Sequence, residues 1–166
     1  PAIVCSEQRL TYAGLDVAAN RLAHRLQALG VTRDVPVGMC LEPGTPLLVA
    51  MLGVLKAGGA WLPLDPAWPR ERLQHMLGVV APTVLITSGA LRERCPSGAH
   101  RLFDLDREQA EIAAQPATDP QLPIAPEQLC YLMFTSGSAG TPKCVMVTHG
   151  NLAGLFPPLS AALDFG

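Results

Sequence analysis

Short apolar runs rich in valine, isoleucine and leucine alternate along this chain with segments whose apolar residues recur every three or four positions. A strand pattern followed by a helix pattern, repeated, has few outlets. The strands must pair, the helices must cover the sheet, and crossover helices make much of the pairing parallel. Ala2–Cys5 and Arg9–Tyr12 read as two strands joined by the polar turn Ser6-Glu7-Gln8. From Thr11 the period becomes helical through Leu15, Ala18, Ala19, Leu22, Leu26 and Leu29, and Gly30 is a C-terminal stop. Val35–Leu41 is a strand, and Thr45 is expected to cap a helix through Leu47, Leu48, Met51, Leu52 and Leu55 that ends at Gly58-Gly59.

Ala60–Leu64 is a buried strand, and Pro69 suits the first residue of a helix carrying Leu73, Met76, Leu77 and Val80. Thr83–Thr87 and Arg101–Leu105 are further strands, with a helix near Arg107–Ala114. The expected class is α/β: a layered mixed or parallel β-sheet flanked by helices. At 166 residues the chain suits one domain. Residues 115–127, with Pro116, Pro120, Pro123 and Pro126, read as an internal loop. Asn151–Leu163 starts as a helix but meets Pro157-Pro158, which a helix interior does not accommodate.

Composition narrows the function. The formal net charge is −2 with 16% charged residues, so no basic face is implied, and nucleic acid and anionic membrane are not expected partners. The cluster Arg92-Glu93-Arg94 is mixed in sign and reads as a solvated surface. Cys5, Cys40, Cys95, Cys130 and Cys144 are odd in number and widely spaced, which speaks against a disulfide framework or a zinc site. Cys40 and Cys130 sit in apolar runs as small hydrophobes. The four histidines have no metal-ligand spacing. No basic-then-apolar leader opens the sequence. The apolar stretch from Leu47 to Leu64 is interrupted by Lys56, Gly58, Gly59 and Pro63 and reads as a helix followed by a strand rather than a membrane span. A reducing, cytoplasmic setting is the expectation.

The most informative stretch is LCYLMFTSGSAGTPKCVMVTHGN, Leu129 to Asn151. An apolar strand, Cys130–Phe134, enters a glycine- and hydroxyl-rich loop, and Cys144–Thr148 forms a second strand after Pro142 and Lys143. Glycines let backbone N–H groups approach oxygen atoms, hydroxyls add donors and the lysine adds charge: the ingredients of a polyanion cradle. Pro142 before Lys143, and a strand after it, rule out the Walker A pattern. On these residues alone the loop is either a phosphate cradle or a Ser/Gly-rich turn with no ligand.

The segment TSGSAGTPK resembles the phosphate-binding signature TSG[ST]TG-x-PKG of the adenylate-forming superfamily. Leu55–Pro66, LKAGGAWLPLDP, resembles the LKAG-x-AY-[VL]-P-[LI]-DP motif of its nonribosomal peptide synthetase branch. WPRERLQHML is similar to the YP-x-ERI-x-x-ML continuation, and LTYAGL, Leu10–Leu15, to the opening LTY-x-EL motif. The motifs stand in the family's order over nearly the whole chain. The resemblance implies that residues 1–166 are the amino-terminal part of an adenylation (AMP-binding) domain, a portion of its large N-terminal subdomain.

That family is an ATP-dependent ligase family of secondary-metabolite biosynthesis. It joins ATP and an amino-acid carboxylate into aminoacyl-AMP and pyrophosphate, then passes the acyl group to a carrier-protein phosphopantetheine thiol. By resemblance, Thr135, Ser136, Gly137, Ser138 and Gly140 would wrap the β- and γ-phosphates of ATP, Lys143 would hold the leaving pyrophosphate, and Mg2+ would assist. No residue is assigned as a metal ligand. Gly58 and Gly59 are read as helix terminators, Asp65 as organising a turn, Trp61 as core, and His149 as a capping or packing residue.

Two positions depart from the signature. Ala139 replaces a threonine and removes a hydroxyl donor, and Cys144 replaces a glycine and is expected to crowd the strand. The family's amino-acid-binding aspartate, adenine-stacking aromatic segment, ribose aspartate, hinge and mobile domain with its lysine have no counterpart here. The chain alone is therefore not expected to catalyse adenylation or to reveal the amino acid. The alternative is a catalytically inactive remnant acting as a scaffold or docking module beside neighbouring synthetase domains, marked by an exposed apolar surface.

Overall fold

The computed structural model describes residues 1–5, 8–135 and 142–155. The turn at Ser6-Glu7 and the Pro157-Pro158 interruption lie outside the described residues. The chain opens with an antiparallel hairpin of β1 (Ile3–Cys5) and β2 (Gln8–Leu10). Tyr12 belongs to the next element rather than to β2. The Thr11 hydroxyl accepts from the Gly14 N–H at 3.0 Å and so starts α1 (Tyr12–Ala28) at Tyr12. Gly30, at φ 89°, then takes the left-handed conformation that ends the helix.

β3 (Pro36–Cys40), α2 (Thr45–Lys56), β4 (Ala60–Pro63), α3 (Arg70–Val80) and β5 (Val84–Thr87) follow. A 3-10 turn, Gly89–Arg94, leads to β6 (Arg101–Asp104) and α4 (Gln109–Ala113). β7 (Leu129–Thr135) and β8 (Lys143–Thr148) complete the sheet, and residues 149–155 are helical. Two helix starts differ from the sequence reading. Gly44, not Thr45, is the N-cap of α2, and the Thr45 hydroxyl lies buried with no partner among the described residues. Pro69, at ψ 141°, caps α3 from outside. In both cases the residue suited to a helix start sits one position away from the position expected for it.

The main sheet has the order β6-β5-β3-β4-β7-β8, parallel throughout except for the antiparallel β7–β8 pair. Alternate side chains enter two cores. Val37, Met39, Val84, Ile86 and Phe103 pack against Leu22 and Leu26 of α1 and Ala50 and Val54 of α2. Leu62, Leu64 and Leu85 pack on the other face against Leu73, Met76 and Leu77 of α3. This double burial explains the unbroken apolar runs. Each fully buried leucine or isoleucine contributes about 1.5–3 kcal/mol.

Residues 115–127 carry no helix or strand and run across α1 and α2. Asn20 Nδ2 and His24 Nε2 donate to the carbonyls of Ala117 and Thr118 at 2.7 and 2.9 Å. Lys56 pairs with Asp119 and with Asp16.

Candidate functional site

α2 crosses from β3 to β4 over one face of the sheet, and α3 leaves β4 over the opposite face. The loops after β3 and β4 therefore diverge, opening a crevice at the strands' C-terminal ends, where open α/β sheets bind ligands. It measures about 480 Å3 and is lined by Leu41, Glu42, Leu47, Asp65, Trp68, Met133 and Phe134, among others. Asp65 organises the turn below it: Oδ1 accepts from the Ala67 N–H at 2.8 Å and its carbonyl from the Trp68 N–H at 3.0 Å.

β7 reaches this edge because its start is fixed. Asp34, in the left-handed region at φ 64°, accepts the Leu129 N–H at 2.7 Å. Gln128 donates to the Gly58 carbonyl at 2.9 Å. Farther along, Tyr131 stacks on Trp61 of β4 at 4.6 Å and 15°, so Trp61 is a packing residue. Gly59 permits a close approach at the other end of β4. A Cβ there would stand 2.8 Å from Val31 Cγ1 and 3.0 Å from the Val35 carbonyl oxygen. Gly58, at φ 91°, terminates α2.

The β7–β8 ladder closes with Thr135 opposite Lys143, and the Thr135 hydroxyl donates to the Lys143 carbonyl at 3.5 Å. Both side chains are exposed on the same sheet edge as the crevice. No carboxylate among the described residues pairs with Lys143. Ser136, Gly137, Ser138 and Gly140, with Ala139 between them, lie outside the described residues. Cys144 does not crowd the strand. It pairs with Phe134, packs against the α3-side core, and burial pushes its thiol pKa up.

His149 is not the cap of the following helix. The Thr148 hydroxyl accepts from the Asn151 N–H at 3.1 Å, and Asn151 Oδ1 accepts from the Thr148 N–H at 3.1 Å, a reciprocal cap. The His149 side chain is packed, with Nε2 buried and without a partner among the described residues, and burial lowers its pKa. The residues missed by sequence reading are those brought together from separate segments, chiefly Glu42 and Trp68 on loops and Met133 on β7. Only the strand order brings them into one crevice.

A family model described as AMP-binding enzyme matches residues 1–162. Over 156 residues the chain is 47% identical to phosphinothricin tripeptide synthetase PhsC of Streptomyces viridochromogenes, a match covering 93% of this chain and 14% of that protein. It is 43% identical over 163 residues to the isonitrile lipopeptide synthase of Mycobacterium tuberculosis, covering 98% of this chain and 6% of that protein. The chain thus spans a small part of the synthetases it matches. The nonribosomal peptide synthetase FmoA3, solved with alpha-methyl-L-serine-AMP bound, superposes with a TM-score of 0.85 at 29% identity, covering 95% of this chain and 17% of that one. VinN, solved with 3-methylaspartate, shares the fold with a TM-score of 0.87 at 20% identity, covering 96% and 46%. No helix among the described residues is long and apolar enough to cross a membrane.

Proposed function

Because the chain belongs to the AMP-binding enzyme family, as the amino-terminal part of a peptide-synthetase adenylation domain, we propose that its β7–β8 loop holds the phosphates of ATP during activation of an amino acid. The observation that carries this reading is the register of Thr135 with Lys143 beside the switch-point crevice. It sets at the two ends of a glycine-rich segment a hydroxyl and an ammonium that has no carboxylate partner among the described residues. That donor set suits a polyphosphate.

In this reading Thr135, Ser136, Gly137, Ser138 and Gly140 surround the β- and γ-phosphates, and Lys143 neutralises charge on the departing pyrophosphate. Among the described residues no three metal-ligating side chains converge; Mg2+ would be held mainly through the nucleotide's own phosphates. When bound, ATP supplies the adenylyl group that activates the carboxylate. The chain's own part is to orient and to neutralise. Amino-acid substrate, carrier-protein phosphopantetheine and neighbouring synthetase domains are the partners this reading assigns to the whole protein, in the cytoplasm. The test is phosphorus NMR of ATP–magnesium titrated with the chain. The β and γ resonances should shift more than the α resonance; equal or absent shifts contradict the reading.

A second reading, a non-catalytic docking module, draws support from the exposed apolar side chains of Met133, Val145, Met146 and Leu155 around the β7–β8 hairpin. A chain that gives no nucleotide shifts yet co-purifies with an adjoining synthetase domain would favour it.

A further inference from the structure

Trp68 is shared between the crevice and a smaller cavity of about 210 Å3 lined by Arg70, Glu93 and Arg94. The guanidinium groups here are held by neutral partners. Arg94 Nε donates to the Pro66 carbonyl at 2.8 Å, and an Arg70 terminal N–H donates to the Glu93 carbonyl at 2.9 Å. Arg72 lies 4.2 Å over the Trp68 ring. Among the described residues no carboxylate is paired with Arg70, Arg72 or Arg94, whereas the neighbouring Arg92 is paired with Asp104 at 3.5 Å. One hydrogen bond to a carbonyl orients each fork, and among the described residues its other N–H groups have no partner. Oriented, unpaired guanidinium forks suit planar or tetrahedral oxyanions, phosphate above all.

The wall shared through Trp68 adds a second requirement. A ligand anchored on Arg70 and Arg94 has an apolar path past the indole toward Leu64, Met133 and Phe134. We propose that Arg70 and Arg94 form an anion site for an organic phosphate, with the ligand's uncharged chain lying along Trp68 into the crevice. The site is separate from the β7–β8 loop and does not involve Lys143. Glu93 also lines this cavity, and its negative charge opposes an anion there, so its removal strengthens binding.

The experiment titrates the chain with n-hexyl phosphate, inorganic phosphate and hexanol, following affinity and the Trp68 indole N–H resonance. Hexyl phosphate should bind at least tenfold tighter than inorganic phosphate and shift that resonance, and hexanol should do neither. Arg70→Gln and Arg94→Gln should each lose about tenfold, Glu93→Gln should gain, and Lys143→Ala should stay within twofold. Arg70→Lys, which keeps the charge and loses the fork, should fall between wild type and Arg70→Gln. Near-ultraviolet circular dichroism checks that each variant is folded. Hexyl phosphate affinity unchanged in both glutamine variants, or lost in Lys143→Ala, overturns the proposal. Because ATP binding is measured in the same variants, failure here leaves the loop reading separately tested.

Discussion

Thr135 and Lys143 occupy the last paired position of the β7–β8 ladder, with the threonine hydroxyl 3.5 Å from the lysine carbonyl. The contact fixes the separation at which the chain leaves one strand and enters the next. The ladder places the Lys143 backbone, while its exposed side chain still gives up rotamer freedom on engaging an anion.

Restoring a threonine at position 139 should strengthen the loop. Ala139→Thr adds one hydroxyl donor beside the expected phosphate, worth about 0.5–1.5 kcal/mol for a neutral donor. ATP affinity measured by calorimetry should rise severalfold. An unchanged affinity would mean that position 139 does not face the nucleotide.

Glu108 should make stability acid-sensitive. Burial acts to raise its pKa, but hydrogen bonds from Arg101 at 2.7 Å and Arg25 at 2.6 Å, with their charges, carry it below the ordinary glutamate value. A lowered folded pKa gives stability that is present above the unfolded value and is lost as pH falls through the folded one. Urea denaturation should show wild type weakening as pH drops below about 4.5, toward the level of Glu108→Gln. At pH 7 Glu108→Gln should be less stable by about 1–3 kcal/mol. A pH-independent difference between the two proteins would refute this.

Gly59→Ala should be costly although alanine is small. Its Cβ would meet Val31 at 2.8 Å and a backbone oxygen at 3.0 Å, and the oxygen cannot rotate away. Overpacking of this kind costs about 1–3 kcal/mol, read as a lower urea midpoint with unchanged slope. Gly78→Ala, on an exposed helix position where a Cβ meets nothing within 4 Å, is the control and should be neutral or stabilising.

The β7–β8 hairpin should drive self-association of the isolated chain. Met146 is 64% exposed and Leu155 56% exposed beside the edge strand β8. Unpaired edge groups with apolar side chains invite pairing with a second copy. Light-scattering mass should rise with concentration, and Met146→Lys should suppress the rise. A monomer at all concentrations would count against it.

The order of strands and helices is legible in the sequence because both faces of β3, β4 and β5 are buried, which writes their length directly into the apolar runs. The helical stripe Leu15, Leu22, Leu26 is legible for the same reason. The starts of α2 and α3 are not, since Thr45 and Pro69 each fit two adjacent cap positions and only backbone geometry chooses between them. Cys144 reads as an intruder because its family counterpart is glycine, yet β8 is extended there and has room for a side chain. The crevice is illegible. Glu42, Trp68 and Met133 are far apart in sequence and meet only because β4 lies between β3 and β7. Arg94 reads as solvated surface, and nothing local to Arg92-Glu93-Arg94 reveals that its guanidinium reaches back to Pro66.

Whether Lys143 and the loop before it hold ATP is decided by isothermal calorimetry of ATP with magnesium on wild type and Lys143→Ala. Wild type should show saturable binding. Loss of one charge-assisted contact, about 1.5–3 kcal/mol, should weaken the variant by about 10- to 150-fold. No saturable heat with wild type, or equal affinity in the two proteins, would contradict it.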